Sequence, residues 1–177
     1  MMETDFSAFD AALRDGRRVH IRAIRQSDEA EYLQAFARLS DDVRHMRFMR
    51  FVKEPNLDRL RCVLASFPES GCGIVATIPA ADGADIVGSA TCFIGNDPAS
   101  CEFAITVASE FGGAGLATIL MTALIGAAKA RGLKEMDGYV LAVNQPMLRL
   151  ARRLGFSVAR DPEDGTVRIC RLRLADA

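Results

Sequence analysis

Residues 18–24 (RVHIRAI) put Val19, Ile21 and Ala23 on one face and His20, Arg22 and Ile24 on the other. This period of two predicts a first strand. Ser27 can cap a helix whose first turn carries Asp28 and Glu29, and Tyr32, Leu33, Phe36 and Ala37 recur at helical spacing to Leu39. Ser40 reads as a second cap, with Asp41 and Asp42 opening a short helix to Met49. Pro55-Asn56 opens a third, carrying Leu57, Leu60, Leu64 and Phe67. The period then shortens. Residues 73–78 (GIVATI), 86–94 (IVGSATCFI) and 101–107 (CEFAITV) read as strands. They are joined by short connections holding Asp82-Gly83 and GNDPAS, which argues for an antiparallel meander.

The strongest helical pattern follows, with Leu116, Ile119, Leu120, Ala123, Leu124 and Ala127 at i, i+3, i+4 and i+7, and Gly132 as the stop. Residues 138–143 (GYVLAV) form the next strand. A strand, crossover helix and strand make a parallel pair. Asn144 caps a further helix with Pro146 in its first turn, ending at Leu154 with Gly155 and Phe156 as stop and latch. Residues 156–160 and 166–174 close the chain as a hairpin. Residues 1–16 read as a loose lead-in and 17–177 as a single domain.

Length and charge narrow the function. The 177 residues suit one domain with a sizeable core. Lysine and arginine number 22 against 23 acidic residues, a balance that argues against a general nucleic-acid binder. The apolar run 111–128 holds a helix of about 22 Å, short of the roughly 30 Å hydrocarbon core, so it reads as a buried helix. No basic region and apolar stretch opens the chain, so a cytoplasmic location without a membrane partner is expected. The five cysteines stand at wide spacings and only two histidines exist, so reduced core thiols and no metal are expected.

The chemistry concentrates in Gly112-Gly113-Ala114-Gly115-Leu116-Ala117, glycine-rich backbone between a strand and a helix. Such a loop is either an anion site, with exposed N–H groups and a helix dipole favouring phosphate, or a tight turn of small residues for close helix–sheet packing. It is not a P-loop, because Leu116 and Ala117 stand where Lys and Ser or Thr are required. Nor is it a dinucleotide fingerprint: Thr118 takes the last glycine's place and Asn144 stands where an acid belongs.

These residues resemble the GNAT superfamily of acyl-CoA-dependent N-acyltransferases, whose pyrophosphate loop is Q/R-x-x-G-x-G/A. Gly115 and Ala117 match, whereas Gly112 replaces the usual Gln or Arg. A second family segment runs from Asn144-Gln145-Pro146-Met147-Leu148 to Arg152-Arg153-Leu154-Gly155-Phe156. The element order agrees over residues 17–174. A nearer similarity is to the acetyltransferase domain of bacterial protein-lysine acetyltransferases. It rests on SDDVRHMRF from Ser40 to Phe48 and on Cys101-Glu102-Phe103-Ala104.

The resemblance implies an α/β fold with one mixed sheet of six to seven strands. An antiparallel meander and a parallel pair flank a CoA cleft, with four to five helices around the sheet. It implies acetyl-CoA as co-substrate and a primary amine as acceptor, either a protein lysine or a small molecule, with the oligomeric state open. Glu102, sharing a strand face with Ala104 and Thr106, becomes the general base, acting directly or through water. Val107, Gly112, Gly113, Ala114, Gly115, Leu116, Ala117, Thr118, Asn144 and Met147 become cofactor contacts, with an oxyanion-binding N–H near Val107 or Ala108. Asn144 reads as a pantetheine contact, a helix cap, or both. The family's usual tyrosine acid falls on Ala151, so no general acid is assigned. Cys101 reads as a core residue. Arg149, Arg152 and Arg153 read as a solvated helix end or a 3′-phosphate contact, and Arg44, Arg47 and Arg50 as a solvated face or a substrate entrance. Met46 and Met49 read as core. Acceptor-binding loops are expected in residues 40–70 and the two C-terminal strands. The alternative is a non-catalytic acyl-CoA-binding or regulatory module of the same fold.

Overall fold

A computed structural model of the chain describes residues 6–49 and 55–175. The strands are β1 (Phe9–Ala12), β2 (Arg18–Ala23), β3 (Gly71–Ala80), β4 (Gly83–Ile94), β5 (Ser100–Val107), β6 (Glu135–Leu141), β7 (Ser157–Arg160) and β8 (Val167–Arg173). The helices are α1 (Glu29–Arg38), α2 (Asp41–Phe48), α3 (Leu57–Ser66), α4 (Leu116–Ala130) and α5 (Gln145–Arg153). One sheet of order β1-β2-β3-β4-β5-β6-β8-β7 joins all eight strands. Every pairing is antiparallel except β5 with β6. None of the described helices is long and apolar enough to cross a membrane.

Both faces of the central strands are covered, which is why GIVATI reads as a continuous apolar run rather than an alternation. Ile74 and Ala76 face α4 and α5 in the larger core, while Val75 between them joins Ile24, Leu64 and Ile86 under α1 and α3. Helix α4 buries Leu116, Leu120, Met121 and Leu124 completely. At Gly88 a Cβ would stand 2.9 Å from Leu120 Cδ1 and 3.2 Å from Leu116 Cδ2, so glycine there lets α4 lie close on β4.

The structure corrects several expectations. Phe9–Ala12, assigned to the lead-in, is an edge strand in register with β2, and Leu13 enters the main core, which brings the strand number among the described residues to eight. Ser27 is not a cap. Residues Gln26–Asp28 form a 3-10 turn, and Asp28 turns its buried carboxylate to Arg22 and to the Arg25 N–H (2.7 Å). Strand β6 begins at Glu135 rather than 138, because Glu135 and Asp137 are held in the strand by Arg171. Ser40 and Asn56 do cap their helices, accepting from Val43 N–H (3.3 Å) and Arg59 N–H (3.0 Å).

Candidate active site

Parallel pairing of β5 and β6 lasts three residues, ending at Glu102↔Asp137. Beyond it β5 stays in register with β4 as far as Gly88↔Val107, without a bulge, while β6 turns its hydrogen bonds to β8. The strands therefore part, and the gap opens immediately after Glu102. Ala108 N–H donates to Val87 C=O (2.9 Å). By the alternation of an antiparallel ladder, the Ile105 and Val107 N–H groups then face the gap, where no strand among the described residues meets them.

A cavity of about 460 Å³ occupies this gap. Glu102, Val107, Gly112, Gly113, Gly115, Leu116, Ala117, Thr118, Asn144 and Met147 all line it. Ala114, expected among the cofactor contacts, does not. Its side chain is buried in the core, and its carbonyl accepts from Arg14 N–H (3.0 Å). Leu116 likewise buries its side chain, leaving only its backbone for a ligand.

The loop has the local geometry of an anion cradle. Gly113 and Gly115 adopt φ of +72° and +91°, values that favour glycine. Gly115 has no side chain to cap α4, and the first intrahelical bond from this position runs from Ile119 N–H to Gly115 C=O (3.2 Å). The N–H groups of Leu116, Ala117 and Thr118 thus have no intrahelical acceptor, and the positive end of the helix dipole adds to them. A cradle of backbone donors with open space beside Gly113 fits a diphosphate.

Glu102 is exposed on the α2 side of the sheet, whereas its neighbour Cys101 is buried on the other, with Sγ 3.7 Å from Glu135 C=O. Arg47 of α2 lines the cavity with it. Burial pulls the Arg47 guanidinium below its ordinary range, opposed by the fields of Tyr32 and Glu102. Arg47, Met49, Thr106 and Phe111 are shared with a second cavity of about 880 Å³ between the sheet and α1–α3, where Tyr32, Phe36, Leu60 and Arg59 stand. Its lining draws on residues 47–49 and 55–64, inside the expected acceptor segment, but not on the C-terminal strands.

Asn144 accepts from Met147 N–H (3.4 Å) and so is a cap as well as a wall residue. Met46 and Met49 line the cleft rather than the core. Arg153 lines it too, and Arg149 and Arg152 do not. Arg44 donates to Phe36 C=O (2.9 Å) and stacks on its ring, a structural role; Arg50 lies outside the described residues. Ala151 is fully buried. Sequence reasoning missed Arg14 and Tyr139, both on the wall. Arg14 carried no signal beyond a charge in an unassigned segment. Tyr139 could be found only once β6 was seen to border the gap.

Comparison with known proteins identifies the family. The model of the acetyltransferase (GNAT) family matches residues 22–156. Acetyltransferase PA5475 of Pseudomonas aeruginosa is 34% identical over 163 residues, 92% of this chain and 88% of that protein. Among solved structures, the GNAT domain of S. lividans PAT superposes with a TM-score of 0.85 at 22% identity, covering 94% of this chain and 96% of that one. Salmonella typhimurium yncA, solved with its cofactor acetyl-CoA, gives a TM-score of 0.68 at 22% identity over 88% and 94% of the two chains. The chain belongs to the GNAT family and is an acyl-CoA-dependent N-acetyltransferase.

Proposed function

We propose that the enzyme transfers an acetyl group from acetyl-CoA to a primary amine, on a protein lysine or a small molecule, by direct attack in a ternary complex. The observation that carries this reading is the position of Glu102, the carboxylate at the point where β5 and β6 part, on the wall shared with the glycine loop. The diphosphate rests on the Gly112–Gly115 backbone and the first-turn N–H groups of α4. The pantetheine arm follows the gap along Val107, with Asn144 and Met147 on the facing wall.

An acceptor reaching the cleft past Arg47 and Thr106 presents its ammonium group to Glu102. The carboxylate takes that proton directly or through water, and the neutral nitrogen forms a bond to the thioester carbonyl carbon. Charge developing on the carbonyl oxygen is met by the Val107 N–H, which β4 leaves free. The carbonyl then re-forms as the carbon–sulfur bond breaks with its electron pair on sulfur, and the second nitrogen proton passes to the departing thiolate or to solvent, leaving a neutral amide and free CoA. The CoA thiol is acidic enough for its thiolate to leave without a side-chain acid, in keeping with Ala151 at the usual tyrosine position.

The test is steady-state release of free CoA from acetyl-CoA with a panel of primary amines and lysine peptides. Glu102→Gln should lower kcat by roughly 10²–10⁴-fold with little change in KM for acetyl-CoA. Full turnover by this variant would remove Glu102 as base. No release by the wild type with any amine would favour a non-catalytic acyl-CoA-binding module.

A further inference from the structure

Resting on the acyl-CoA reading above, we propose that Arg14, from the turn between β1 and β2, supplies the side-chain cation for the acyl-CoA diphosphate that the glycine loop itself lacks.

The loop offers only backbone, because Gly112, Gly113 and Gly115 carry no side chain and Ala114 and Leu116 bury theirs. Arg14 fills that deficit from outside it. Its Nε lies 3.4 Å, and its Cζ 3.8 Å, from where a Cβ of Gly115 would stand, so the side chain passes directly over the N-terminus of α4 and lines the same cavity.

The turn is held against the loop by contacts that do not use the Arg14 guanidinium. Arg14 N–H donates to Ala114 C=O (3.0 Å), Arg17 donates to Glu110 C=O (2.7 Å), and the Arg17 guanidinium stacks 4.0 Å over Phe111. Leu13 anchors the turn in the core. The nearest acid in sequence, Asp15, is engaged by Arg17 (Nε–Oδ2 2.8 Å). Among the described residues, no carboxylate pairs with Arg14. A planar, forked guanidinium beside unbonded N–H groups is the donor set that a diphosphate accepts from.

Isothermal titration of CoA and of dephospho-CoA into the wild type, Arg14→Ala and Arg14→Lys separates the alternatives. Arg14→Ala should weaken both ligands by the same factor, about tenfold. It should raise KM for acetyl-CoA while leaving kcat and the melting temperature of the free protein unchanged. Arg14→Lys should recover part of the loss, because the charge returns without the fork. Affinity of Arg14→Ala within twofold of wild type overturns the proposal. A loss for CoA but not for dephospho-CoA also overturns it, since Arg14 would then meet the 3′-phosphate. Failure of the wild type to bind either ligand would instead overturn the acyl-CoA reading on which the proposal rests.

Discussion

The ring of Phe103 lies against the Cα of Gly138, so close that a Cβ there would collide with three of its carbons. Phe103 follows the last β5 residue paired with β6, and Gly138 follows the last β6 residue paired with β5. The same ring meets Phe156 edge-on at 5.3 Å. The aromatic pair thus fills the vertex of the gap from the α4 side and leaves the other side to Glu102 and Tyr139.

Gly138→Ala should force this packing apart. Overpacking of this kind costs about 1–3 kcal/mol. Urea denaturation should show that loss, and Phe103→Leu in the same chain should restore part of it. Independent effects of the two substitutions, adding without coupling, would mean the contact does not set the strand separation.

Arg22 and Asp28 form a buried bidentate pair at 2.8 Å that joins the end of β2 to the start of α1, with Asp28 only 4% exposed. Removing one partner strands the other charge away from water. Asp28→Ala should therefore lower stability by about 3–5 kcal/mol. The double replacement Arg22→Met with Asp28→Leu should cost far less in the same denaturation experiment.

Glu31 gives a dependence on pH. Desolvation first, then the charges of Asp82 and Asp85 with a smaller one from Asp28, raise its carboxyl above the ordinary range against the pull of Arg38. Above the ordinary glutamate value, the folded state holds this proton more tightly than the unfolded state does. This contribution to stability therefore falls as pH rises through that window. Glu31→Gln removes the effect. Melting curves should show the variant level with wild type near about pH 4 and more stable at pH 7. Equal melting temperatures at both pH values would exclude the effect.

The thiols should react unequally. Cys62 is exposed, while Cys92, Cys101 and Cys170 are buried. The hydrogen bond to Cys101, with burial, pushes Cys92 up to about 12, and burial pushes Cys170 up to about 11. Cys72, hydrogen-bonded to Cys92 and partly buried, is raised as well. An aromatic disulfide reagent at pH 8 should titrate one thiol rapidly in the native protein and all five after denaturation. Cys62→Ser should abolish the rapid phase.

The type and order of the elements were legible along the chain, because periodicity and caps act over a few residues. Ser40, Asn56 and Asn144 cap as their neighbours in sequence predict. The glycine loop was legible too, since positive φ at Gly113 and Gly115 follows from residue type and the start of α4 from its apolar period. What failed locally failed for a tertiary reason. Glu135 and Asp137 look unlike a strand until Arg171 on β8 pairs with both. Phe9–Ala12 is too short to announce itself without β2 beside it.

The sequence by itself determined a crossover helix led by a glycine loop, a meander before it, and a carboxylate on the third of its strands. Only the tertiary structure decided that β5 and β6 separate beyond Glu102, that Arg47 faces the same cleft, and that Arg14 crosses the loop at Gly115. The division is physical. Backbone hydrogen bonds and side-chain period are written over short separations. A cleft depends on which distant side chains, such as Phe103 against Gly138, cannot occupy the same space.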